Sequence, residues 1–155
     1  GLILPLSDAD ADYPALIIAN EAFGGSGFAS RLMGRIREKE GLSYGVGSAF
    51  RAASLDPRAT LSMYGIANPQ NIEKVVTLAH EELVKLLKDG ITDEELAESQ
   101  QGWLQGEQQK RGDDSQLASL LANALYAGRT LEFNAMVESA VSKLTKSDIV
   151  KALNK

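Results

Sequence analysis

The sequence contains no cysteine and only one histidine, His80. Without thiolates it can form neither disulfides nor the cysteine-rich zinc sites of structural metal domains. A catalytic zinc needs three protein ligands, and a single histidine falls short of the usual set. The residue inventory therefore predicts no metal site within this chain.

The surroundings of His80 support that interpretation. His80 stands in the run Ala79-His80-Glu81-Glu82-Leu83, which is similar to the start of a His-Glu-x-x-His zinc motif. Position 84, where the second histidine would stand, is Val84. A lone histidine on an amphipathic helix is most often solvated, so we interpret the helix over residues 70–88 as structural.

Long apolar runs and an excess of basic residues are also missing. No segment approaches the roughly 18 apolar residues that a membrane-spanning helix needs. The formal net charge is −5, from 16 basic and 21 acidic residues, whereas binding to a phosphate backbone requires a basic face. We therefore expect neither a membrane span nor a nucleic-acid partner.

The hydrophobic periodicity along the chain is typical of one domain that contains both helices and strands. The pattern predicts a strand, two helices, a hairpin and a helical second half. These are strand 1–6, helices 13–24 and 29–38, strands 44–51 and 58–67, helix 70–88, and helices that follow Thr92, the break at residues 111–114, Thr130 and Thr145. This order predicts an α+β fold with helices packed on one face of a mostly antiparallel sheet. We expect a single domain over residues 1–155.

Residues 24–50 carry the most informative pattern, GGSGFASRLMGRIREKEGLSYGVGSAF. The stretch opens with Gly24, Gly25 and Gly27, which we interpret as a flexible glycine turn. A phosphate-binding loop would need a Lys-Ser or Lys-Thr pair after the last glycine, and Phe28-Ala29 follows instead. Nucleotide binding is therefore disfavoured.

A short helix from about Ala29 to Glu38 follows the glycine turn, with Ser26 or Ser30 as its N-cap. We expect its apolar side chains to face the core and its charged ones to face water: Leu32, Met33 and Ile36 inward, Arg31, Arg35, Glu38 and Lys39 outward. Gly41 suits the left-handed residue that ends a helix.

Arg37 and Tyr44 flank the turn at Gly41. Strand alternation places Tyr44 on the same side as Val46, Ser48 and Phe50. Arg37, in the last helical turn, brings a permanent cation with five donors, and Tyr44 brings a phenolic hydroxyl. A tight turn between them can direct both polar groups to one point.

The two runs Ser30-Arg31-Leu32 and Arg37-Glu38-Lys39-Glu40-Gly41-Leu42-Ser43-Tyr44 resemble a known signature. They are similar to the C-terminal domain of the pitrilysin and insulysin family of zinc peptidases, whose other domain carries the inverted His-x-x-Glu-His motif. The implied fold is the half-domain of the pitrilysin and mitochondrial processing peptidase type. In that family, the equivalents of Arg37 and Tyr44 reach across to the zinc-bearing half and hold the substrate.

The resemblance implies a function for the chain as part of an enzyme. It would be the substrate-binding C-terminal domain of a zinc metalloendopeptidase, with zinc held by a homologous domain or subunit and a peptide as substrate. Arg37 would clamp a carbonyl or carboxylate, and Tyr44 would donate to the oxyanion that forms during hydrolysis. The chain alone is expected to be inactive, because it lacks His-x-x-Glu-His.

Two other functions stay open. Relatives of this fold serve as non-catalytic core subunits of respiratory complexes, so the chain could be an assembly module. A free-standing small-molecule binding domain would rest on the glycine turn alone.

The resemblance also carries expectations about context. Bacterial members of the family are usually exported, which implies a periplasmic location. The sequence starts at Gly1 in an apolar run and stops at Lys155, before the closing strand that the family has. We expect an excised piece of a longer chain that lacks its first and last strand edges.

Overall fold

The chain folds into three β-strands and six α-helices, and the computed structural model describes all residues from Gly1 to Lys155. The elements in order are β1 Leu2–Leu4, α1 Tyr13–Asn20, β2 Ser43–Ala52, β3 Ala59–Ala67, α2 Ile72–Asp89, α3 Asp93–Gly112, α4 Asp114–Tyr126, α5 Glu132–Val141 and α6 Lys146–Leu153. A π-helical turn (Glu21–Gly25), a 3₁₀ turn (Gly27–Ala29) and a π-helix (Met33–Lys39) connect α1 to β2. A second 3₁₀ turn, Pro69–Asn71, precedes α2.

The sheet has the order β1-β3-β2, and both pairings are antiparallel. The predicted hairpin is confirmed, with Phe50 opposite Leu61 in its register. One face carries the buried residues Val46 and Ser48, while Tyr64 and Ile66 on the other face are exposed. The predicted α+β class, with helices on one face of an antiparallel sheet, is therefore confirmed.

A single apolar core lies between the inner face of the sheet and the helices. Its largest fully buried side chains come from five different segments: Ile18, Phe23, Leu32, Ile36, Val141 and Ile149. The predicted inward stripe of the helix after the glycine turn is confirmed by Leu32, Met33 and Ile36, which are all buried. This packing holds the segment before β2 firmly against the sheet.

Two of the predicted helix starts have full capping boxes, at Thr92 with Glu95 and at Thr145 with Asp148. At the start of α5 the Thr130 hydroxyl accepts from the Glu132 amide at 3.3 Å, although the helix itself begins one residue later than a Thr130 cap would place it. No helix combines the length and the apolar content that crossing a membrane would require.

Gly24 and Gly25 lie inside the π-helical turn and not in an open glycine turn, so the predicted local geometry is wrong at these two positions. Gly24 is buried against β2. A Cβ at Gly24 would lie 2.5 Å from Ser48 Oγ, 2.6 Å from Ser48 N and 2.8 Å from Leu32 Cδ1. Glycine is required at position 24 because the backbone packs closely against the strand, and not because the chain turns there.

Gly24→Ala is therefore expected to destabilise the fold by about 1–3 kcal/mol, because the added methyl group overpacks a backbone contact. Gly34→Ala is the matched control, since a Cβ at Gly34 meets no atom within 4 Å. The control should be neutral or stabilising by up to about 1 kcal/mol, the helix-propensity gain of alanine. Urea unfolding of both variants measures the difference, and equal stabilities would contradict the packing explanation.

Candidate functional site

The helical segment of residues 31–39 carries three arginines, and the first is bound to the α2–α3 corner. Arg31 Nη2 donates to the Gly90 carbonyl at 2.8 Å and to Glu95 Oε2 at 2.6 Å. Burial alone would raise the pKa of Glu95, but hydrogen bonds from Arg31 and Thr92 outweigh it and hold that pKa below its ordinary value. The expectation that Arg31 faces water is wrong, because an ion pair holds it against another element.

The second arginine is also paired. Arg35 forms an ion pair with Glu40, and its Nε lies 3.7 Å from Oε1 of the buried Glu82 on α2. The expectation that Arg35 faces water is therefore wrong for the same reason. These contacts anchor the segment to α2 and α3, so the orientation of its last turn is well defined.

Arg37 differs from both, since it forms no ion pair and its side chain forms no hydrogen bond within the protein. Its guanidinium carbon lies 4.8 Å from the centroid of the Phe28 ring and 5.6 Å from that of the Tyr44 ring. Aromatic faces attract a guanidinium without using its N–H donors. Arg37 is thus held in place while its donors stay available for a ligand.

The turn at Gly41 brings the Arg37 side chain next to the Tyr44 ring. Gly41 adopts the left-handed conformation at φ 64°, and its amide donates to the Arg37 carbonyl at 3.1 Å. The Leu42 amide donates to the Ile36 carbonyl, also at 3.1 Å. These bonds end the helix at a fixed point and turn the chain back toward Tyr44.

A β-bulge sets the direction of Tyr44. Ser43 pairs with Ala67 and Gly45 pairs with Ile66, so Tyr44 is an extra residue on its strand. Bulges redirect side chains, and Tyr44 is 79% exposed whereas Val46 is buried. The expectation that Tyr44 shares a side with Val46, Ser48 and Phe50 is therefore wrong, because the bulge interrupts the alternation.

The Ser43 hydroxyl stabilises this bulge. Its Oγ lies 2.8 Å from the Gly45 carbonyl and 2.8 Å from the Ile66 carbonyl, where the strand ladder is interrupted. Ser43 itself is buried. Ser43 therefore positions Tyr44 without being part of the exposed site.

Ser43→Ala should destabilise the domain by about 0.5–1.5 kcal/mol, because the one hydroxyl proton shared between the Gly45 and Ile66 carbonyls is lost. Ser62→Ala, on the exposed face of β3, is the matched control and should change stability by less than about 0.5 kcal/mol. Chemical denaturation monitored by circular dichroism compares the two. A Ser43→Ala variant as stable as the control would show that the bulge does not depend on this hydroxyl.

An open groove of about 380 Å³ lies beside Tyr44. Leu42, Tyr44, Ile66 and Asn71 contribute to its lining. The groove offers apolar side chains together with an amide, so a segment of polypeptide could lie next to the Arg37–Tyr44 pair.

Phe28 is the residue of this cluster that the sequence analysis missed. The sequence pattern identifies it only as a residue that breaks a phosphate-binding loop, yet it is 68% exposed and lies against the Arg37 guanidinium. Gly27, at φ 66°, directs the chain into the 3₁₀ turn that presents Phe28. Of the three glycines in the predicted turn, Gly27 has the backbone conformation that favours glycine. Its position directly after a glycine turn is the sequence feature that could have identified Phe28 as an exposed aromatic residue of the site.

The residues of this chain do not fit a zinc site. No group of three or more histidine, cysteine, aspartate or glutamate side chains is placed to hold a metal ion. His80 is exposed on α2, with Val84 one helical turn later.

Sequence comparison finds one matching family model, described as the peptidase M16 inactive domain, over residues 1–102. An uncharacterized zinc protease of Bacillus subtilis, YmxG, is 35% identical over 86 residues, which are 56% of this chain and 20% of that protein. The chain thus spans about a fifth of the length of this curated relative.

Structure comparison finds the same architecture in solved proteins. A peptidase M16 inactive domain from Pseudomonas fluorescens superposes with a TM-score of 0.83 at 26% identity, covering 97% of this chain and 35% of that one. The periplasmic protease PqqL from Escherichia coli superposes with a TM-score of 0.67 at 25% identity, covering 97% of this chain and 16% of that one.

Proposed function

Because the chain belongs to the peptidase M16 inactive-domain family, we propose that it is the substrate-binding half of a zinc metalloendopeptidase. The zinc would be held by a homologous domain, on the same polypeptide or on a partner subunit, since this chain has no cluster of metal ligands. The family's relatives include a protein named as a zinc protease. The substrate would be a peptide.

The observation that carries this proposal is the state of Arg37. Of the three arginines on one short helical segment, Arg31 and Arg35 are ion-paired and Arg37 is not. Two aromatic rings hold its guanidinium beside an exposed tyrosine. A half-buried cation with five unused donors is suited to binding an oxygen of a ligand.

The two side chains would have different roles. Arg37 would bind a backbone carbonyl or carboxylate of the peptide and orient it. Tyr44 would donate a hydrogen bond from its hydroxyl to the oxygen of the scissile carbonyl as negative charge develops there, which lowers the energy of the transition state. The groove beside Tyr44 would receive the adjoining part of an extended peptide.

We propose a periplasmic location for the parent enzyme. The support is the similarity to the periplasmic protease PqqL. Fractionation of the source bacterium, with antibodies against this chain, measures the location. Recovery in the cytoplasmic fraction would contradict it.

The identity of the neighbouring coding sequence tests the proposal against the alternative of an assembly module. We expect the same polypeptide, or an adjacent reading frame, to encode His-x-x-Glu-His. Affinity isolation of this chain from its source cells should then recover bound zinc, measurable by elemental analysis. A zinc-free complex in which no component carries the motif would instead favour the assembly module.

A further inference from the structure

A second cavity lies among the helices, in a part of the molecule that the peptidase proposal does not use. It has a volume of about 280 Å³ and is lined by residues of α1, α3, α4 and α5. Phe28, Arg37 and Tyr44 do not contribute to its lining. Its walls combine carboxylates, amides and aromatic rings, the mixture typical of sites for small polar ligands.

The charges of the cavity wall are balanced with one exception. Three of its acidic residues are ion-paired: Asp8 with Arg129, Glu107 with Lys110, and Glu138 with Arg111. The fourth, Glu21, forms no ion pair, and its side chain accepts no hydrogen bond within the protein. The wall therefore has one carboxylate without a cationic partner.

The surroundings of Glu21 make that charge unfavourable in the free protein. Burial raises the pKa of Glu21, and the positive charge of Lys110 offsets this only in part. A half-buried carboxylate without an ion pair or hydrogen bond loses hydration, and the charge of Lys110 compensates that loss only in part. A cation in the cavity would supply the missing interaction.

Polar groups around Glu21 are also without partners in the protein. The Tyr13 hydroxyl, the Trp103 indole N–H and the Asn134 amide line the cavity, and none of them forms a hydrogen bond within the chain. Burial raises the pKa of Tyr13, so its hydroxyl keeps its proton and can donate. These three side chains are half-buried, so their unpaired polar groups stay available to a polar ligand in the cavity.

We propose that this cavity binds a small organic cation with a primary ammonium or guanidinium group, with Glu21 as its counter-ion. Trp103 and Tyr13 contribute aromatic rings to the lining, and aromatic rings attract such a cation. The Phe133 ring already contacts a cation of the protein, since the Arg129 guanidinium carbon lies 3.9 Å from its centroid. The volume of about 280 Å³ suits a compact ligand.

The chain contains a single tryptophan, so the fluorescence of Trp103 reports on this cavity directly. The probe is agmatine, which carries both cationic groups, and the comparison ligand is N-butylurea, which is neutral. We expect a saturable change of Trp103 fluorescence with agmatine and none with N-butylurea. No saturable response to agmatine, or an equal response to N-butylurea, would overturn the proposal without use of any variant.

Two variants that each remove one negative charge distinguish a specific role of Glu21 from a general electrostatic effect on agmatine binding. Glu21→Gln should weaken agmatine binding on the order of tenfold or more, the effect of losing a charged hydrogen-bond partner. Glu98→Gln, exposed on α3, removes the same charge and should bind as the wild type does. Equal affinities of the two variants would contradict the role of Glu21. Peptidase activity is not a readout here, so the outcome does not depend on the Arg37–Tyr44 site.

Discussion

Tyr44→Phe should lower kcat of the assembled peptidase by about 100- to 1,000-fold, the usual result of removing one oxyanion donor. The variant keeps the aromatic ring, and therefore the contact with the Arg37 guanidinium 5.6 Å from its centroid. The hydroxyl alone is lost, so the fold and KM should change little. Steady-state kinetics with a peptide substrate separates kcat from KM.

Tyr126→Phe is the control for this prediction. Tyr126 is 78% exposed, close to the 79% of Tyr44, but it lies on α4 and is not one of the two aromatic rings beside the Arg37 guanidinium. It should retain the wild-type kcat. Wild-type turnover in Tyr44→Phe as well would remove Tyr44 from the proposed mechanism.

Arg37→Ala should lower kcat/KM about 10- to 100-fold, mainly through a higher KM, because a charged hydrogen bond to the peptide is lost. Arg37→Lys should not restore activity. A lysine ammonium has neither the planar fork that binds a carboxylate or carbonyl in two places nor the flat surface that stacks between Phe28 and Tyr44. Failure of the lysine variant therefore reports on geometry and not on charge alone.

Arg58→Ala controls for the loss of one positive charge. Arg58 is exposed before β3 and forms no ion pair, so its replacement should leave kcat/KM unchanged. If Arg37→Lys were as active as the wild type, the guanidinium fork would have no role in substrate binding.

Much of the fold follows from local patterns in the sequence. The hairpin, the capping boxes at Thr92 and Thr145, and the glycine stop at Gly41 each depend on neighbouring residues, and all are present in the structure. The predicted glycine turn between helix and strand likewise placed Arg37 close to Tyr44, and in the structure the Arg37 guanidinium lies 5.6 Å from the centroid of the Tyr44 ring.

Other features depend on contacts between distant parts of the chain. The local pattern places Arg31 on the water-facing side of its helix. It cannot show the ion pair with Glu95, because that residue is 64 positions away in the sequence. The bulge that exposes Tyr44 depends on the register with Ile66, and periodicity alone cannot reveal an inserted residue. The cavity beside Glu21 combines four helices, and no single segment contains its pattern.

The hydrolysis of a peptide by a reconstituted mixture tests the central proposal most directly. The purified chain, the zinc-bearing domain and their mixture are each assayed, with complex formation followed by size-exclusion chromatography. We expect activity only in the mixture, and complexes without activity when the chain carries Arg37→Ala or Tyr44→Phe. A stable wild-type complex without activity would favour the assembly module, and hydrolysis by this chain alone would contradict its assignment as the half without zinc.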